Sequence, residues 1–540
     1  MNVIKIAALC LLASLLTATA GSPRVTQVYP AGGQRGTEIE ITCSGSNLED
    51  ARNLLFSDPR FGVWPVKAEK TKFTVKVKIA PDIELGEHSF RVITQSGVAD
   101  LRLFYVSPFP LVEEQAEDKV DPYKPQAIAL GTTVYGRTQN EDQDHFAVEL
   151  KKGERLSAEV IGARLQTQSI YDSQLIIAKP DGTPLADVDD TAFSRQDPVV
   201  SVVAPEDGKY LVIIKDSTNA GTGACHYLLN IGSFPRPVAV FPPGGRVAGE
   251  LKVKLIGDAL GVLERTVQLP AEPHERFPLF VEDTQTAPQP HYLRVSRFAN
   301  VLEAEPNNEV ASATATDSLL PIAFNGIIEQ KGDVDFFKFA AKKGQDYDVS
   351  VFARRLRSPL DSVLDIHDAK GARINGNDDS GGMDSYVRWK APADGPFFVA
   401  VRDQLSRGGE AFTYRIEIKP VEPKITVWLP PMVINSSQER RAIVVPKGNR
   451  YASLVRVKRW DVSGTIALET GELPPGVKAH MPAIDKTVDT VPVVFEAAAD
   501  AAPSEKAVTM QAKLNEPPPG VTVASAVEHD VDISENGNQR

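Results

Sequence analysis

Two unrelated patterns each occur twice in this chain, in alternation. Val28-Tyr-Pro-Ala-Gly-Gly33 returns as Val240-Phe-Pro-Pro-Gly-Gly245. Asp142-Gln-Asp144-His-Phe146, followed by Lys151-Lys-Gly153, returns as Asp333-Val-Asp335-Phe-Phe337, followed by Lys342-Lys-Gly344. The order is A-B-A-B, with a period of roughly 190–210 residues. Tandem units of this kind build extended surfaces from several small cores, not one deep catalytic cleft.

The 40 prolines and 38 glycines, set among short Val/Ile/Leu alternations, place the units in the all-β class. Glu38–Thr42 alternates polar and apolar residues, as a half-buried strand does. Residues 1–20 carry Lys5, a short apolar run and the small-residue site Ala18-Thr19-Ala20, the pattern of an export signal. That run is too short to span a bilayer, and no later stretch reaches the roughly 20 apolar residues a span needs. A soluble exported protein is expected, in the periplasm, outside the cell or at its surface. Removing Lys5 with the signal takes the net charge from −12 to −13, which argues against nucleic acid as a partner. Cys43 and Cys225 survive cleavage, and each stands where the other repeat carries an apolar residue, Leu255 and Phe412. Buried structural thiols are expected.

Unit A runs over 23–107 and again, shortened by some twenty residues, over 235–300. Its opening, with Gly45 and Gly257 at equal spacing before Leu48 and Leu260, resembles the IPT/TIG class of immunoglobulin-like domains. The shortening predicts a missing strand or hairpin. Unit B runs over 109–234 and 301–420, pairing Glu114 with Glu303, Gly136 with Gly326, Asp144 with Asp335 and Tyr227 with Tyr414. Glu303-Ala-Glu305-Pro-Asn307-Asn308, Gly332-Asp-Val-Asp335-Phe-Phe-Lys-Phe339 and Asn377-Asp-Asp379-Ser-Gly-Gly382 are similar to the bacterial pre-peptidase C-terminal (PPC) domain. The resemblance implies a jelly-roll-type β-sandwich attached to exported proteins, and the first copy departs from it at its start. Residues 421–540 fit neither unit and read as a further immunoglobulin-like sandwich with a polar tail after Glu528.

The sharpest chemical feature is the acidic segment opening the second B unit. Glu303, Glu305, Asn307 and Asn308 lie within six residues, and Asp333 with Asp335 precedes a strand. Ca²⁺ takes roughly six to eight oxygen ligands, which two such segments folded together can supply. PPC-like domains of bacterial collagenases bind Ca²⁺ through a similar linker and Asp pair. The resemblance carries that role onto Glu303, Glu305, Asn307, Asn308, Asp333 and Asp335, with Asn308 in place of an acid. In the first copy Ala116 replaces Glu305 and Asp118 stands at Asn307, so a weaker site, or none, is expected there.

Other motifs fail. Asn375-Gly-Asn377-Asp378-Asp379 lacks the glycine and glutamate of an EF-hand, having Ser380 and Tyr386 instead. Asp379-Ser380-Gly381-Gly382 resembles a protease nucleophile segment, but no histidine sits in a recognisable protease motif. The expectation is a non-catalytic exported protein of binding, adhesion or spacer type, whose partner is an extracellular or envelope protein or a polysaccharide. Two alternatives stand beside it: an accessory or targeting subunit of a secreted peptidase, and a purely structural envelope or matrix protein.

Overall fold

The computed structural model describes residues 22–115, 124–165, 171–179, 181–192, 194, 196–380, 382–430, 443–518 and 523–527. The export signal expected at 1–20, the positions Ala116 and Asp118, and the tail after Glu528 lie outside them. Among the described residues the chain is all-β, with ten sheets, a few short 3₁₀ turns and no α-helix. No helix of these residues is long and apolar enough to cross a membrane.

The strands follow from period-two patterning. In Lys72–Ile79, Phe73, Val75, Val77 and Ile79 are buried while Lys72, Lys76 and Lys78 face solvent. This strand pairs with Glu38–Ser46 on one side and Phe61–Glu69 on the other, and Arg24–Tyr29 completes the sheet. A second four-stranded sheet, containing Gly86–Thr94 and Val98–Ser107, closes over it. Between 239 and 296 the same plan recurs with three strands in each sheet. The strands without a counterpart are those corresponding to Ala51–Phe56 and Phe61–Glu69, one edge strand from each sheet. The twenty missing residues therefore remove one consecutive pair of edge strands and leave the centre of the sandwich intact.

The two B units share one topology. Gln143–Leu150, Gly208–Asp216, Ser173–Ala178 and Pro184–Val188 are neighbours in one sheet, as are Asp335–Ala341, Gly395–Asp403, Ser362–His367 and Arg373–Asn377 in the other copy. In the facing sheets, Leu111–Glu113 pairs parallel with Thr132–Arg137, and Ala299–Leu302 pairs parallel with Ile322–Ile327. The short incoming segment of each B unit is thus an edge strand of its sheet. Phe324, Phe337 and Tyr414 are fully buried between the sheets of the second copy, each contributing about 1.5–3 kcal/mol.

A buried polar network fixes the incoming strand of the second copy. Arg415, fully buried, donates to Glu417 at 3.0 Å, Asn300 at 2.6 Å, Asn325 at 3.0 Å and Ser296 at 2.9 Å. Arg294, from the preceding sandwich, reaches the other oxygen of Glu417 at 3.0 Å. The final segment forms a five-stranded and a two-stranded sheet between Lys424 and Val527. Cys43 and Cys225 are free and buried, in separate cores.

Candidate metal centre

The parallel strand Ala299–Leu302 ends with the Glu303 amide donating to the Asn325 carbonyl at 2.9 Å, which carries the ladder one residue further. The Glu303 carboxylate then folds back over Gly326 and accepts the Ile327 amide at 2.9 Å. A β-carbon at Gly326 would overlap both this carboxylate and the Tyr414 hydroxyl. Glycine is required here for close approach, not for an unusual φ. The Tyr414 hydroxyl donates to Asp335 at 2.5 Å and lies 3.4 Å from Glu303.

Glu303, Glu305 and Asp335 each bring a carboxylate oxygen within 4.8 Å of the others, the one such acidic group among the described residues. Two oxygens bound to one Ca²⁺ at roughly 2.3–2.6 Å sit at most about 5 Å apart, so this spacing fits that ion. Burial and the Asp335 charge push the Glu303 carboxyl up to about 9. Burial, with Asp333, Glu305 and Glu329 nearby, pushes Asp335 up to about 8 despite the Tyr414 hydrogen bond. Glu305, more exposed, is also raised, chiefly by desolvation. Like charges gathered in a half-buried site oppose one another's ionisation, and a divalent cation removes that opposition.

The other expected ligands take different places. Asp333 accepts the Asn308 side-chain amide at 2.8 Å and the Glu329 amide at 2.8 Å. Asn307 is fully buried; its carbonyl accepts the Phe336 amide at 2.9 Å, and its side chain reaches Thr314 at 3.4 Å. Asn307 therefore ties the incoming segment to the strand that carries Asp335. Beside the carboxylate group is a concavity of about 360 Å³ whose walls include Glu305, Glu309, Glu329 and Asp333. Sequence reasoning passed over Glu329 and Tyr414. Tyr414 was visible only as a repeated position, and a tyrosine alternating with Phe412 and Ile416 on a strand reads as core.

The first copy has the same frame. Tyr227 lies 2.9 Å from both Glu114 and Asp144, and Gly136 is as closed to a β-carbon as Gly326. Burial and the neighbouring Glu114 push Asp144 up to about 8.

Residues 333–403 match the bacterial pre-peptidase C-terminal domain. The PPC match thus begins at Asp333, after the incoming strand and the Glu303–Asn308 segment. Over 104 residues the chain is 38% identical to a probable subtilase-type serine protease of Deinococcus radiodurans, covering 18% of this chain and 14% of that relative. The chain therefore spans about one-seventh of the length of that curated relative. Among solved structures, the pre-peptidase C-terminal domain of a Bacillus anthracis collagenase aligns at 16% identity, covering 22% of this chain and 100% of that one, with a TM-score of 0.17. The periplasmic g-type lysozyme inhibitor PliG of Aeromonas hydrophila aligns at 15% identity over 20% of this chain and 97% of its own, with a TM-score of 0.16.

Proposed function

We propose that the chain is a non-catalytic, exported, multi-domain binding or spacer protein in which Ca²⁺ fastens the start of the second PPC-type unit. The division into units at 23–107, 109–234, 235–300, 301–420 and 421–540 belongs to this reading, as does the immunoglobulin-like character of the first, third and last. The carrying observation is the carboxylate group Glu303, Glu305 and Asp335 within 4.8 Å. Glu303, Glu305 and Asp335 would hold the ion, and Asp333 with Asn308 and the walls of the concavity would complete its oxygen shell. Bound Ca²⁺ supplies the positive charge that lets all three carboxylates ionise together. Because Ala299–Leu302 is already held in the sheet, the ion would lock the following segment, 303–309, against Asp333–Asp335.

The test is a thermal melt in excess Ca²⁺ and then in EDTA, with Glu305→Ala as the control. Ca²⁺ at about 100 times its Kd adds roughly 2.7 kcal/mol to the unit that binds it. A transition that rises with Ca²⁺ and is unmoved in the variant supports the reading. Superimposable wild-type curves sink it, and leave the acidic group as a solvated turn in a purely structural protein. The local likeness to a subtilase-type protease favours, as a second reading, an accessory or targeting module for a secreted peptidase. Co-purification with a peptidase from the native host would favour that reading.

A further inference from the structure

A second recess, sharing no lining residue with the acidic concavity, lies where segments of four units meet. It measures about 690 Å³ and is lined by Tyr105, Arg164, Arg276, Gln289, Tyr292 and Arg357, among others. Clefts of this size at domain junctions, with aromatic walls and a few convergent polar groups, are the usual setting of ligand sites.

Its charges are unevenly paired. Beneath the floor, Arg164 pairs with Glu159 at 3.0 Å and Asp197 at 2.7 Å, and Arg236 pairs with Glu159 at 3.3 Å. Arg357 and Arg276 bring the guanidinium groups to four, against Glu159, Asp197 and the exposed Glu84 and Glu87. Among the described residues neither Arg357 nor Arg276 has a carboxylate within ion-pair distance. The single hydrogen bond of the Arg357 side chain goes to the Pro290 carbonyl at 3.0 Å, and its buried Nε has no partner. Desolvation and the Arg236 charge lower Arg357 to about 10, which is the mark of a cation held without its counter-ion. Arg357 also occupies a left-handed backbone conformation, φ 72°, at the end of a 3₁₀ turn. A non-glycine residue bears a cost there that persists only where the surroundings impose it. Both cations lie over the Tyr292 ring, its centroid 4.0 Å from the Arg276 Cζ and 5.1 Å from that of Arg357.

Glu84 and Glu87 also line the cleft. Both are exposed, and Glu87 is 3.5 Å from the Tyr105 hydroxyl. The inner wall remains cationic and aromatic.

We propose that this cleft binds an oligosaccharide bearing carboxylates, a uronic-acid chain, with Arg276 and Arg357 engaging the carboxylates and the Tyr292 ring holding the two guanidinium groups in place. Guanidinium groups match carboxylates in two-pronged geometry. An acidic peptide fits less well. The wall strand His274–Leu279 is an edge strand, but a bulge between His274 and Phe277 and the missing amide of Pro278 spoil it for pairing with another backbone. The proposal rests on the reading of the chain as a binding protein and is independent of the metal site.

The experiment is isothermal titration of the full mature chain in EDTA, which keeps Ca²⁺ out of both the acidic group and the probe. The probes are trigalacturonate, trimannuronate, uncharged maltotriose and triglutamate. Saturable binding of at least one uronate is expected, with Arg276→Ala and Arg357→Lys each weakening it about tenfold or more. Arg276 is exposed, so its variant keeps the fold, which circular dichroism verifies. Failure of both uronates to bind at millimolar concentration overturns the proposal. So does equal binding of maltotriose, unchanged affinity in both variants, or preference for triglutamate, the last pointing to an acidic peptide instead. A null Ca²⁺ melt leaves this result untouched.

Discussion

In EDTA, the Glu303–Asp335 pair makes the sandwich around the match at 333–403 less stable as pH rises. In the unfolded chain these carboxyls titrate near ~4.3 and ~3.9; in the fold they are pushed up to about 9 and about 8. A raised carboxyl contributes stability that is fully present below its unfolded pKa and is lost as pH climbs through its folded pKa. Between pH 5 and pH 7 the folded state holds two more protons than the unfolded chain, and the slope is about −2.7 kcal/mol per pH unit. Over those two units the loss is about 3–5 kcal/mol, the lower figure reflecting the open side of the group at Glu305. Saturating Ca²⁺ would hold the folded carboxylates ionised, so the slope should flatten. Asp335→Asn keeps an acceptor for the Tyr414 hydroxyl, removes one proton, halves the slope and abolishes the Ca²⁺ response. The assay is urea unfolding at several pH values, followed by the fluorescence of Trp389, which packs against Tyr347 and Phe397 in this core. Trp64, Trp428 and Trp460 are replaced by Phe to isolate that signal. Stability in EDTA that is flat, or rises, from pH 5 to pH 7 would refute the reasoning, because the carboxyls would then be ionised in the fold.

Two further outcomes follow from packing. Gly326→Ala places a methyl against the Glu303 carboxylate and the Tyr414 hydroxyl; it should cost about 1–3 kcal/mol and remove the Ca²⁺-dependent shift in the same melt. Glu417→Ala leaves Arg415 buried without its carboxylate and should cost about 3–5 kcal/mol, read as a lowered urea midpoint for the Trp389 transition with no change in its Ca²⁺ response.

The strands were legible because their burial follows period two, as Lys72–Ile79 illustrates, and the repeats were legible because identical local patterns recur. The carboxylate group was legible in part. Glu303 and Asp335 stood out as acids at matched repeat positions, and the structure brings them together with Glu305. Asn307 and Asn308 looked equivalent to them because amide and carboxylate oxygens serve a cation alike. In the fold the Asn307 side chain turns to Thr314 while its backbone carbonyl ties two segments together, and the Asn308 side chain caps Asp333, a distinction of orientation that residue type does not carry. Tyr414 belongs to the site because of the face it turns inward, and an aromatic at that spacing reads as core. The arginine cleft was not legible at all. Tyr105, Arg164, Tyr292 and Arg357 come from four distant stretches of the chain, and only the packing of those stretches makes them neighbours.

The register of the incoming strands also governs how far such a chain can reach. Ala299 pairs with Ile322, and Ile322 pairs with Ile418, so the backbone enters and leaves this sandwich at the same end. Leu111, Thr133 and Asn230 repeat that arrangement in the first copy. The sandwiches before them behave otherwise: Arg24 starts beside Ser46, whereas the last strand ends with Ser107 beside Gln34, past the far end of the first strand. Chain length spent in the sandwiches at 24–107 and 239–296 is therefore converted into distance at about 3.3 Å per strand residue, while those at 111–232 and 299–420 hang to one side and add width. Tension along the chain would pull on neighbouring strand ends of those side units and peel them from one edge, while drawing the through-running sandwiches from opposite ends.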